Sequence, residues 1–88
     1  MTSRVHRDFV KEPMGNKSAT ALPGIGIVAG RNLSAAGYAK ASNVFGKFLV
    51  LNRDETQFKK WLMSTAGANT GQQNQCYQCL VEYNSKWM

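Results

Sequence analysis

From residue 40 onward the apolar residues of this chain recur at helical spacing with hardly a break. That periodicity limits the fold more than any other feature. Ala41, Val44, Phe45, Phe48 and Leu49 fall at i, i+3, i+4, i+7 and i+8, one face of a helix over 40–51. Val50 and Leu51 widen that face beyond one stripe, more than a lone small monomer needs. A second helix is predicted to open at Asp54, with Gln57 completing a capping box and Gly67 ending it. Phe58, Trp61, Leu62 and Thr65 or Ala66 form its buried face. Asn69 and Gln72 repeat the cap spacing before a third helix, on which Cys76, Cys79, Leu80, Tyr83 and Trp87 share one side. Near the N-terminus a short helix is predicted over 3–12, with Val5, Phe9 and Val10 as a partial apolar face and Pro13 as its stop. Residues 14–18 read as a loop turned by Gly15 and Asn16. No stretch alternates long enough for a strand, and no Asn-Gly turn joins two apolar runs. The reading is all-α, a single domain over 1–88, with no internal repeat and no low-complexity segment.

A chain of 88 residues has room for one small core. It hides only roughly 60–65% of its unfolded surface, so association helps it. The apolar fraction of 43% argues against disorder over most of the chain. Eleven Lys plus Arg against five Asp plus Glu gives a net charge of +6, which points to an anionic partner. Two cysteines make no disulfide framework, and no flanked apolar run resembles a signal peptide or a membrane span, so neither secretion nor membrane insertion is expected.

The most informative stretch is ATALPGIGIVAGRNLSAAGY over 19–38. Pro23-Gly24-Ile25-Gly26 reads as a sharp turn between a short helix and a longer one from about Ile27 to Ala36, closed by Gly37. Gly24 and Gly26 are both expected to permit left-handed angles and a close backbone approach. The amides of Gly26, Ile27 and Val28 then lie at a helix start, where unpaired N–H groups and the dipole favour a phosphate. Ile25, Ala29 and Leu33 hold the two helices together, and Arg31 lies one turn further on. The pattern resembles a helix-hairpin-helix motif, which binds the nucleic-acid backbone without reading sequence. A plain glycine-rich turn is the competing reading; the full run of L-P-G-I-G, Ala29, Leu33 and Gly37 favours phosphate.

HRDFVKEPMGNK over 6–17, this hairpin, GKFLVLNRDE over 46–55, Phe58-x-x-Trp61-Leu62 and Cys76-x-x-Cys79-Leu80 together resemble the barrier-to-autointegration factor family over nearly the whole chain. The resemblance implies a five-helix, all-α fold that forms a two-fold homodimer. Each subunit has one DNA site and the sites face apart, so that a dimer bridges two duplexes without sequence preference. It also implies LEM-domain proteins of the inner nuclear membrane and lamins as partners. The implied location is the nucleus and nuclear envelope, with some protein in the cytoplasm. Gly46, Lys47, Val50 and Leu51 match the family's dimer contact and adjoining LEM-domain groove.

On the DNA side, Gly24, Ile25, Gly26, Ile27 and Val28 match the hairpin contacts, which are made mainly by backbone. The family's further contacts come from basic residues near the N-terminus and at the start of the last helix. Here those positions are Val5, with Arg4 adjacent, and Gly71 and Asn74, where amides at Thr70 and Gly71 remain to meet a phosphate. Two missing cations lower the salt slope of binding by up to roughly 2 units. Lys11, Lys59, Lys60 and Arg53 compensate only if they face the duplex. Lys11 also falls in the region the family uses against lamin, which counts against lamin as a partner here.

Cys76-x-x-Cys79 invites a zinc reading, but a structural site needs four ligands and the one histidine, His6, lies on a distant segment. Both cysteines read as core, with redox sensing as the remaining alternative. His6 reads as structural or surface. Asp54 and Glu55 fit capping and the helix dipole. No P-loop, carboxylate cluster or nucleophile elbow is present, so no enzyme, metal or cofactor is expected. Thr2 and Ser3 are candidate phosphorylation sites, matching the family's modified N-terminal Ser/Thr; each phosphate would add about −1.5 to −2 charge and repel DNA. Two main functions compete. One is a dimeric DNA-bridging protein; the other is a dimeric adaptor that keeps the protein groove with little DNA affinity. A third, an appendage of a larger repair enzyme, fits poorly with a match to a stand-alone family.

Overall fold

The computed structural model describes residues 4–88, so Thr2 and Ser3 lie outside the described residues. These contain five α-helices: α1 Arg4–Val10, α2 Ile27–Ala35, α3 Ala41–Val50, α4 Glu55–Ala66 and α5 Thr70–Trp87. The all-α expectation holds, with no strand among them. The short helix expected before the hairpin is a single 3₁₀ turn, Ala19–Ala21, capped by the Ser18 side chain. One antiparallel bridge pairs Ser18 with Lys40, the Ala19 amide donating to the Ala39 carbonyl at 3.0 Å and Ala41 to Lys17 at 2.9 Å. A single bridged pair leaves no alternation for the sequence to display.

The helix ends follow local chemistry. At the end of α2, Tyr38 N–H donates to the Leu33 carbonyl at 2.7 Å and Gly37 N–H to Ser34 at 3.1 Å, a Schellman motif with Gly37 at φ +93°. α3 ends the same way without a glycine: Arg53 N–H reaches Phe48 and Asn52 N–H reaches Leu49, both at 2.9 Å, with Asn52 and Arg53 at φ 58° and 60°. Asp54 accepts from the Gln57 amide at 2.8 Å, which is one half of the expected capping box. Asn69 and Gln72 form the complete box, with both bonds at 2.9 Å.

α1 is shorter than expected and stops at Val10. Glu12 precedes a proline and is disfavoured in helical geometry. The Val10 carbonyl, freed at the helix end, accepts from the Trp87 indole N–H at 2.9 Å.

α5, about 27 Å long at 1.5 Å per residue, is the spine. It buries Cys76, Cys79, Leu80 and Tyr83 against the other elements. The core is aromatic-rich: Phe48 packs edge-on to Phe58 at 5.7 Å, and Tyr83 lies 5.6 Å from Phe9 and 5.3 Å from Phe45. The Tyr83 hydroxyl accepts from the buried Met14 amide at 3.0 Å. No helix among the described residues is long and apolar enough to cross a membrane.

Candidate nucleic-acid interface

The two glycines of the hairpin turn behave differently. Gly24 has φ +83°, and a Cβ there would press into the backbone carbonyl of Gln72 on α5. The turn needs a glycine here both for its angle and to lie flat on the first turn of α5. Gly26 departs from the expectation. It is extended, at φ −86° and ψ −167°, and a Cβ there would meet nothing within 4 Å. Nothing in the packing of the described residues asks for a glycine at that position.

Gly26 is also the N-cap of α2 and supplies no side-chain cap. The first intrahelical bond runs from Gly30 N–H to the Gly26 carbonyl at 2.8 Å. The amides of Ile27 and Val28 come before it, at a solvent-exposed helix start, with their side chains 77% and 68% exposed. Ile25, Ala29 and Leu33 are buried beneath the turn, as the sequence predicts. Arg31 is exposed one turn along α2.

Three distant segments meet beside this turn. Val5 of α1, Gly24 and Gly26 of the hairpin, and Gln72 and Gln75 of α5 line one concavity of about 460 Å³. Of the positions singled out from the sequence, Val5, Gly24, Ile25 and Gly26 are therefore neighbours in space, with α5 beside them contributing Gln72 and Gln75. Thr70, Gly71 and Asn74 are exposed on the same end of α5. The Asn69 cap takes the Gln72 amide and leaves those of Thr70 and Gly71 ahead of the first α5 helix bond, Gln73 to Asn69 at 2.9 Å. Sequence reasoning did not place Gln72 and Gln75 at the site; the i+4 spacing of Gln75 from Gly71 was the available signal.

The concavity has no charged residue in its lining. Arg4, beside Val5, sits 3.8 Å from Asp8, both well exposed. The cations expected to compensate do not gather here. Lys59 is held by Glu55 and lies over the Tyr77 ring at 5.6 Å. Arg53 precedes the far end of α4, which runs about 18 Å to the Ala66-Gly67 end that borders the hairpin, and Lys60 is midway along it.

Residues 1–87 match a family model described as barrier to autointegration factor. The chain is 56% identical over 82 residues to the barrier-to-autointegration factor of Danio rerio, covering 93% of this chain and 91% of that protein. It is 51% identical to the Homo sapiens protein, over 93% and 92%. It is 45% identical to the Drosophila melanogaster protein over 87 residues, 99% of this chain and 97% of the relative. The chain belongs to the barrier-to-autointegration factor family.

In this member of the barrier-to-autointegration factor family, the second surface singled out from the sequence lies on α3. Gly46, Lys47 and Leu51 are half-buried, whereas Val50 is 73% exposed beside the partly exposed Leu49. A Cβ on Gly46 would meet nothing within 4 Å. A glycine inside a helix costs about 1 kcal/mol relative to alanine, and no close approach by another described residue calls for one here. Lys47 Nζ lies 6.0 Å from the Trp61 ring, which in turn meets Tyr38 edge-on at 4.9 Å.

The remaining candidates serve the core. Cys76 and Cys79 are free and buried. Burial, with Cys79 alongside, pushes the Cys76 thiol far up; burial, with Glu82 nearby, pushes Cys79 up to about 12. Both stay protonated and unreactive. Among the described residues no three His, Cys, Asp or Glu side chains gather closely enough to hold a metal. His6 is buried and its Nε2 lies 3.0 Å from Glu82 Oε1, joining α1 to α5.

Proposed function

We propose that this chain is a sequence-independent double-stranded DNA-binding and DNA-bridging protein. It acts as a two-fold homodimer that links chromatin to LEM-domain proteins at the nuclear envelope. The observation that carries the DNA part is Gly26, a glycine that the packing of the described residues does not require, at a helix start with no side-chain cap. A side chain there would stand between the first amides of the helix and an approaching phosphate. Backbone contacts of this kind give affinity and register without base preference. Gly46 and Val50 support the dimer and groove in the same way, since an open helix face with an exposed valine suits close approach by a partner. The location that goes with this function is the nucleus and its envelope, with some protein in the cytoplasm. Phosphate on Thr2 or Ser3 would weaken DNA binding by charge.

One observation favours the adaptor reading, in which the groove is kept and DNA binding is weak: the concavity beside the hairpin is uncharged. Duplex binding at two salt concentrations, with two unrelated sequences and a sizing run without DNA, separates the readings. Equal, salt-sensitive binding of both duplexes by a dimer is expected. A well-formed dimer that ignores both duplexes at low salt overturns it in favour of the adaptor.

A further inference from the structure

We propose that Gln75 is a further DNA contact, donating its side-chain amide to a phosphate oxygen of the bound duplex. This rests on the DNA-binding reading above and assigns a residue to it that the hairpin does not include. Gln75 lines the concavity that Gly24 and Gly26 also line. Its side chain is exposed and makes no hydrogen bond to any described residue. Its neighbour one turn back is already committed: Gln72 Oε1 accepts from the Asn69 amide at 2.9 Å, and the Gln72 backbone carries Gly24.

Helix geometry sets the direction. A helical side chain leans toward the N-terminus and covers the turn before its own Cα. Gln75 therefore leans over Gly71, four residues earlier, which has no side chain to block it. There it shares the end of α5 with the Thr70 and Gly71 amides. Its amide offers two N–H donors, and phosphate oxygens only accept. In an uncharged concavity its donors suit that acceptor and, unlike those of Gln72, belong to a side-chain amide whose oxygen is not already tethered to the helix cap. A neutral donor displaces no counterion of its own, so it adds affinity without adding to the salt slope.

The test is a salt series on the full chain with two unrelated duplexes, comparing wild type, Gln75→Ala, Gln75→Lys and Gly26→Glu. Gln75→Ala is expected to weaken both duplexes equally, by about 2- to 12-fold, the range for one neutral hydrogen bond. Its slope and melting temperature should match wild type. Gln75→Lys is expected to steepen the slope by about 0.9, as one phosphate becomes charge-paired. If Gln75→Ala binds like wild type while Gly26→Glu loses DNA, the Gln75 contact is wrong and the hairpin reading stands. A loss confined to one sequence would mean base contact and overturn the phosphate assignment. A melting temperature that falls in step with affinity would reduce Gln75 to a structural role. Wild-type protein that ignores both duplexes would remove the DNA reading and this contact with it.

Discussion

The starts of α2 and α5 lie beside the same concavity and are finished in opposite ways. α5 is closed by its own residues, Asn69 and Gln72 each satisfying the other's backbone amide at 2.9 Å. α2 begins at a glycine that offers no side chain, and no side-chain cap meets its first amides. A helix end completed from within contributes to folding. One left open at the surface is stabilised when an acceptor arrives from outside. The same contrast separates Gly24, required by its angle and its contact with α5, from Gly26, required by neither.

Substitutions can pull these roles apart. The largest effect is expected from Gly24→Ala, which forces alanine to φ +83° and presses its Cβ into the Gln72 carbonyl. A loss of about 2–4 kcal/mol in a denaturant titration is expected, with DNA binding failing alongside. Gly26→Glu should do the reverse. Its carboxylate faces open space at the positive end of α2, so the melting temperature should hold or rise, while duplex affinity falls about tenfold or more through like-charge repulsion. A Gly26→Glu protein that melts early, or binds DNA normally, breaks the comparison. Asn69→Ala removes the α5 cap and should cost about 1 kcal/mol, roughly 4–8 °C in melting temperature, with duplex affinity nearly unchanged. Smallest in its effect on the comparison is thiol labelling. With Cys79 pushed up to about 12 and Cys76 also raised by burial, neither should react near pH 8 until the chain unfolds.

Much of this was legible before the structure, because it is local. Asn69 with Gln72, Gly37 and Gly67 as helix stops, and the buried face of α5 all depend on residues within a turn or two of one another. What stayed hidden depends on distant partners. The end of α1 at Val10 is set partly by the indole of Trp87, far away in the chain. That Gly24 and Gly26 differ follows from the backbone of α5 passing under one of them. Gln72 and Gln75 enter the candidate site only because α5 packs beside the hairpin. Whether Lys11, Lys59, Lys60 and Arg53 add charge at the concavity also depends on packing, and none of them is in its lining.

The manner in which α1 is held has a consequence for synthesis. His6 is tied to Glu82, Val10 to Trp87 and Met14 to Tyr83, sequence separations of 76, 77 and 69 residues. Every one of these anchors comes from the last helix, and contacts of such span form only once both ends of the chain are free to meet. During synthesis α1 has to wait until α5 has been made through these anchors before it can dock, and a chain cut ahead of Glu82 would leave α1 undocked and its apolar face uncovered.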